Sequence, residues 1–215
     1  MEFPEDNDTL NNESQFFVGS GLMVTPVLTP DATTVQAYIP ENCELYNWIT
    51  GKKLNSLDTS GNYYVLNAPI DTIPLHIRGG NIVPTQEAGL TTAESRTKPY
   101  TLTIALNIDG CAYGSIYLDD GYSSDVKNEC SLIEFIFENY TLTCIPKYSG
   151  YNPMARINRI RIFGISFENY YPELFFDNRS HNPPVISYDS DENVALFSNL
   201  NLSINKPWSF NLKKH

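Results

Sequence analysis

The sequence has no long apolar run, little charge and no cluster of basic residues. Its longest apolar stretch, around Gly21-Leu22-Met23-Val24, falls far short of the ~20 residues a helix needs to cross a bilayer. Direct membrane insertion is therefore not expected. Charged residues make up 18% of the chain against 41% hydrophobic, which excludes a disordered tail for most of its length. The formal net charge is -11, and no basic cluster exceeds Lys213-Lys214. Nucleic-acid phosphates need a positive surface, so DNA and RNA are not expected partners.

Metal and cofactor chemistry is equally short of ligands. The cysteines, Cys43, Cys111, Cys130 and Cys144, show no CxxC spacing, and His76, His181 and His215 lie far apart. Neither pattern builds a zinc site. Four cysteines allow three disulfide pairings, and buried thiols in strands are an equal alternative, above all for Cys144 beside Leu142. There is no P-loop, no GxGxxG and no nucleophile elbow. No cofactor is expected. Met1-Glu2-Phe3-Pro4-Glu5-Asp6 is acidic where a signal peptide is basic, and no apolar segment follows it. Either the protein is cytosolic, or this chain lacks its true N-terminus.

What is present points to strands. The 215 residues are enough for one large domain or two small ones. They include 14 Tyr, 11 Phe, 14 Pro and 12 Gly, a mix that favours short strands and frequent turns. Period-two patterns recur: Thr34–Ile39, Leu102/Ile104/Leu106, Ile116/Leu118, Ile133/Phe135/Phe137 and Leu200/Leu202/Ile204. Ile82-Val83 reads as a short strand stopped by Pro84. No segment of twelve or more residues carries a 3.6 period. The expected class is all-β, built as antiparallel sandwiches. The polar stretch Thr91 to Pro99 marks a candidate domain boundary.

Several segments invite a chemical reading. Asp119-Asp120-Gly121 could bind calcium or present a catalytic carboxylate. Adjacent residues leaving a strand point to opposite faces, however, so the two acids do not converge on one bond; a structural turn is the favoured reading. Asp189-Ser190-Asp191-Glu192 reads as a hairpin tip. His76-Ile77-Arg78-Gly79-Gly80 reads as a substrate clamp or, preferably, as a strand end with glycines for close approach or positive φ. Trp48, Tyr46, Tyr63 and Tyr64 could form an aromatic platform for sugar rings, though such aromatics more often form core. Asn-x-Ser/Thr occurs at Asn7, Asn12, Asn139, Asn178 and Asn201, five sites where composition gives about three. The excess hints at secretion, with Asn139, Asn178 and Asn201 the glycosylation candidates.

Four landmarks then follow one another in a distinctive order. Gln15-Phe16-Phe17-Val18-Gly19 runs into Leu22-Met23-Val24-Thr25-Pro26-Val27-Leu28. Tyr46-Asn47-Trp48-Ile49-Thr50-Gly51 comes next, then Ile73-Pro74-Leu75-His76-Ile77-Arg78-Gly79-Gly80-Asn81-Ile82-Val83-Pro84-Thr85-Gln86. Ile116-Tyr117-Leu118-Asp119-Asp120-Gly121 closes the series. This succession resembles the C-terminal part of glycoside hydrolase family 31, of the maltase-glucoamylase, sucrase-isomaltase and lysosomal acid α-glucosidase type. Two positions depart from the family pattern: Leu118 stands where an aromatic is usual, and Asn47 where Asp is usual.

The resemblance implies an all-β chain of two antiparallel sandwiches behind the end of a (β/α)8 barrel. Residues 1–28 would be the barrel's last strand and exit, 29–92 a proximal β-domain and 93–215 a distal one. Both catalytic carboxylates of the family lie in the barrel, and no position here matches either motif, so no catalytic residue is assigned. Phe16 and Phe17 would border the sugar pocket. His76, Arg78, Gly79, Gly80, Asp119, Asp120 and Gly121 would be structural. The implied partners are the missing barrel of the same polypeptide and, for the whole enzyme, an α-glucan or malto-oligosaccharide. The whole enzyme would be secretory, lysosomal or extracellular, and this chain a fragment or partial gene product of it. A stand-alone carbohydrate-binding module is the alternative, and a sandwich adhesion module a third.

Overall fold

Period-two alternation becomes buried-in, polar-out strands along most of the chain. The computed structural model describes residues 3–40, 43–54, 63–123, 128–153, 155–166, 170–172 and 185–214. Contacts divide the chain into two compact units, Met1–Gly79 and Gly80–His215.

The first unit opens with a 3-10 turn at Asn7–Thr9, whose N-cap Asp6 accepts from the Asp8 amide. Its strands are β1 (Phe16–Val18), β2 (Leu22–Val24), β3 (Thr34–Tyr38), β4 (Leu45–Asn47), β5 (Tyr63–Asn67) and β6 (Leu75–Arg78). Four of them form an antiparallel sheet in the order β1-β2-β6-β4, and β3 pairs with β5 as a two-stranded ribbon. Met23 and Leu45 from the sheet meet Ala37 and Leu66 from the ribbon in one core. Burying the Met and Leu side chains contributes roughly 1.5–3 kcal/mol each.

The second unit holds β7 (Asn81–Gln86), the single-turn α1 (Thr92–Ser95), β8 (Tyr100–Ala105), β9 (Ala112–Asp119), β10 (Cys130–Glu138), β11 (Thr141–Ser149), β12 (Arg156–Phe163), β13 (Tyr170–Pro172), β14 (Val185–Asp189), β15 (Val194–Ser203) and β16 (Trp208–Lys214). Ten strands follow one another in the order β13-β16-β11-β10-β9-β7-β8-β12-β15-β14. β7 and β9 touch through a single parallel pair, Asn81 with Tyr113. The sheet folds at that join into two halves whose inner faces share a core. Ile133, Phe135 and Phe210 come from one half, and Leu102, Ile160 and Phe197 from the other. This is a β-sandwich.

Local details depart from the sequence reading in places. β7 does not stop at Pro84 but runs through it to Gln86, with Pro84 opposite Leu102. β7 has a continuous neighbour only on the β8 side, so the missing proline N–H breaks no ladder. β8 and β12 run parallel along their length, and apart from them and the single β7–β9 pair the strand pairs of the sandwich are antiparallel. Within the polar stretch after β7, Thr91 caps α1 by accepting from the Glu94 amide at 3.1 Å, while Glu94 accepts from the Leu90 amide at 2.9 Å. The first bond satisfies an amide that the helix start would otherwise leave open, and the second ties the residue before the cap to the helix. Asp189 accepts from the Asp191 and Glu192 amides and closes the β14–β15 hairpin. No disulfide joins Cys43, Cys111, Cys130 and Cys144. Burial pushes the Cys144 thiol up to about 12, so it stays protonated and packs as a small apolar group.

Candidate functional site

The β1–β2 hairpin places its side chains by strict alternation. Phe16 pairs with Val24, and Val18 with Leu22. Phe16, Val18, Leu22 and Val24 therefore share one face, and Phe17 and Met23 share the other. Phe17 packs against the core, 6.0 Å from the Phe3 ring. Phe16 and Val18 are 53% and 55% exposed. The hairpin thus turns an apolar face outward within its unit. The segment before it is pinned to β3. The Gln15 amide donates to the Tyr38 carbonyl at 2.6 Å and accepts from the Tyr38 N–H at 2.7 Å. The Tyr38 hydroxyl donates to Asp6.

Beside this anchor lies a cleft of about 570 Å³, bordered by Asn7, Asn12, Gln36, Tyr38 and Tyr63. The Tyr38 and Tyr63 rings lie 4.9 Å apart. The Asp8 and Glu13 carboxylates also border it, so amides, tyrosines and acids together offer hydrogen-bond partners to a hydroxyl-rich ligand. Sequence reasoning missed this cleft, because its residues are far apart along the chain and no motif links them.

The sequence-derived aromatic platform does not form. Tyr63 and Tyr64 are neighbours on β5 and point to opposite faces. Tyr46 is buried, and burial, reinforced by the nearby Glu44 charge, raises its pKa. Trp48 lines a separate cavity of about 320 Å³ together with Leu54, Leu66 and His76.

His76 lies on β6 between Met23 and Asn47 on the flanking strands. It is only 1% exposed, and neither ring nitrogen has a hydrogen-bond partner among the described residues. Burial lowers its pKa to about 4, so the imidazole is neutral at physiological pH. The Arg78 guanidinium sits 5.0 Å from the Phe3 ring centroid. The Gly79 N–H donates to the Glu44 carbonyl at 2.8 Å. In the second unit, Gly80 takes φ +87 and donates to the Ala105 carbonyl, a conformation open to glycine at little cost.

Asp119, Asp120 and Gly121 form a turn locked from within. Asp120 accepts from the Ser123 hydroxyl at 2.6 Å and from the Ser123 and Tyr122 amides at 2.9 and 3.0 Å. The hydroxyl bond first, then the amides, hold its carboxyl down at about 2. Arg96 donates to the Asp120 carbonyl at 2.6 Å and lies 3.8 Å from the Asp119 carboxylate. Gly121 has φ +77, and a Cβ there would run into the Arg96 guanidinium. Other carboxylates are also engaged: Glu44 with Lys53, Glu94 with Lys98, Glu134 with Lys147 and Glu87 with Arg159. Among the described residues, no group of three or more His, Cys, Asp or Glu side chains is placed to hold a metal ion. Of the glycosylation candidates, Asn139 and Asn201 are exposed, while Asn178 lies outside the described residues.

The described residues form an all-β architecture that carries these landmarks in chain order, and comparison with known proteins shows what it is similar to. Residues 1–83 match the glycosyl hydrolase family 31 C-terminal domain. Relatives of the chain are family 31 glucosidases, and the match lies in their C-terminal part. It is 41% identical over 177 residues to Glucoamylase 1 of Schwanniomyces occidentalis, covering 78% of this chain and 18% of that protein. It is 32% identical over 210 residues to intestinal sucrase-isomaltase of Oryctolagus cuniculus, covering 95% of this chain and 11% of that one. The fold matches the glucosidase II alpha subunit in its Glc1Man2-bound crystal structure, with a TM-score of 0.80 at 24% identity, over 94% of this chain and 24% of that one. The chain thus spans a fifth or less of the curated relatives named here.

Proposed function

We propose that this chain is the non-catalytic C-terminal part of an α-glucosidase. The parent enzyme hydrolyses terminal α-glucosidic bonds of malto-oligosaccharides with retention of configuration. In a retaining mechanism one carboxylate attacks the anomeric carbon, and a second protonates the leaving oxygen and then activates water. Both belong to the barrel upstream. Residues 1–28 carry the end of that barrel, 29–92 the proximal β-domain and 93–215 the distal one, with strand β7 contributed to the distal sheet. The observation that carries this reading is the apolar hairpin face of Phe16, Val18, Leu22 and Val24. Burying such a face is worth about 25 cal/mol per Å² of apolar surface, and the barrel of the same polypeptide is its partner. Phe16, on that outward face, then stands at the rim of the sugar pocket, whereas Phe17 points the other way into the core of its unit and is not a rim residue. The parent enters the secretory pathway, as a lysosomal, cell-surface or extracellular enzyme.

The test is the coding sequence upstream of Met1. A continuous reading frame encoding a (β/α)8 barrel with both acids supports the proposal, and a stop codon directly upstream of an intact promoter overturns it. The cleft beside Tyr38 and Tyr63 favours a second reading, a carbohydrate-binding module that works alone. Retention of the folded chain on a maltose or starch column supports that reading, and unretarded elution of the folded chain rejects it.

A further inference from the structure

We propose that Asn139 carries an N-linked glycan whose first sugars cover the groove beside it and the exposed Ile108 on its wall. The proposal rests on the secretory routing of the parent and goes beyond it by assigning one site and its surroundings.

Asn139-Tyr140-Thr141 forms the tip of the β10–β11 hairpin. Asn139 and Tyr140 both take left-handed φ, +49 and +57, the signature of a tight two-residue turn. Such a turn throws the Asn139 side chain clear of the sheet, and Asn tolerates this backbone better than most residues. The Thr141 hydroxyl donates to the Asn211 side chain at 2.8 Å, so the hydroxyl required by the acceptor sequence is fixed beside the turn.

The other described acceptor sequences fit less well. Asn12 is half-buried, and its side-chain oxygen already accepts from the Ser14 amide and hydroxyl. Asn7 lies inside the 3-10 turn capped by Asp6 and not at a hairpin tip. Asn201 also takes left-handed φ, +51, but it lies within β15, beside the register shift against β12, and not at a chain reversal.

A second observation is independent of the acceptor sequence. Asn139 and Tyr140 border a groove of about 380 Å³ whose wall includes Ile108 and Ile165. Ile108 is 88% exposed. The apolar faces of the first sugar rings would pack on Ile108 and Tyr140 and shield that surface from water.

In the modification itself, the Asn139 side-chain nitrogen forms a bond to the first carbon of an oligosaccharide borne on a lipid pyrophosphate. The carbon–oxygen bond to the pyrophosphate breaks, the lipid pyrophosphate leaves with the bonding pair, and the amide gives up one proton.

The test uses the full-length parent, secreted from a eukaryotic host and deglycosylated by an amidase in heavy-oxygen water. The expected result is heavy-oxygen aspartate at position 139. Asn139→Gln and Thr141→Ala should abolish the label at 139, and Thr141→Ser should retain it. A parent that carries glycans at other acceptor sites, with unmodified Asn139 throughout, overturns the assignment and leaves the routing intact. A secreted parent with no glycan at any site overturns the assignment and the glycoprotein reading together.

Discussion

Gly114 on β9 lies directly against the Ile82 backbone of β7. A Cβ at position 114 would overlap the Ile82 carbonyl and stand 2.8 Å from the Ile82 side chain. This contact is next to the single Asn81–Tyr113 pair that joins the two halves of the sandwich. Gly114→Ala is therefore expected to destabilise the chain by about 2 kcal/mol, because backbone on both sides must move. Urea unfolding of the variant checks this, and an unchanged midpoint would show that the two strands are not so close.

Phe197 and Phe210 bring the two halves together from the inside. Their rings meet edge to face at 4.9 Å, and both are fully buried. Phe197→Ala is expected to cost about 3–5 kcal/mol. A double-mutant cycle with Phe197→Leu and Phe210→Leu should return a coupling of about 1 kcal/mol. Additive effects would deny the direct ring contact.

His76 makes stability depend on pH. Its folded pKa of about 4 lies below the ordinary 6.5, so the unfolded chain takes up a proton first as pH falls. The contribution of the neutral imidazole is complete above pH 6.5 and is lost as pH drops toward 4. The loss amounts to about 3 kcal/mol. His76→Leu should flatten the unfolding midpoint across this window, and an unchanged slope in the variant would assign the effect elsewhere.

The Asp120 carboxylate holds its turn through the Ser123 hydroxyl and two amides. Asp120→Ala is expected to speed amide exchange at Tyr122 and Ser123, while Asp120→Asn retains part of the protection. Equal exchange in wild type and Asp120→Ala would contradict the locked turn.

Local pattern made much of this architecture legible. Ile133, Phe135 and Phe137 alternate with Glu134 and Glu138, and their burial follows that alternation. Asp109-Gly110 reads as a turn and is one, with Asn107 accepting from the Asp109 and Cys111 amides. Other features depend on distant partners. Pro84 is tolerated in β7 because of what lies on its far side. The parallel pairing of β8 with β12 joins segments more than fifty residues apart, and strand periodicity carries no direction. Gly114 left one signal, an isolated glycine inside a strand pattern. His76 left none, since a buried neutral histidine and a ligand-facing one look alike in sequence. The landmarks Gln15–Gly19 with Leu22–Leu28, Tyr46–Gly51, Ile73–Gln86 and Ile116–Gly121 are legible as a family resemblance, but their individual contacts are not.

The central claim is that the bond-cleaving acids are not in this chain. The most direct measurement incubates the purified, folded chain with a chromogenic α-glucoside, alongside the full-length parent. The account predicts turnover by the parent and none above background by the chain. Turnover by the chain that survives repeated purification and follows its concentration would contradict it.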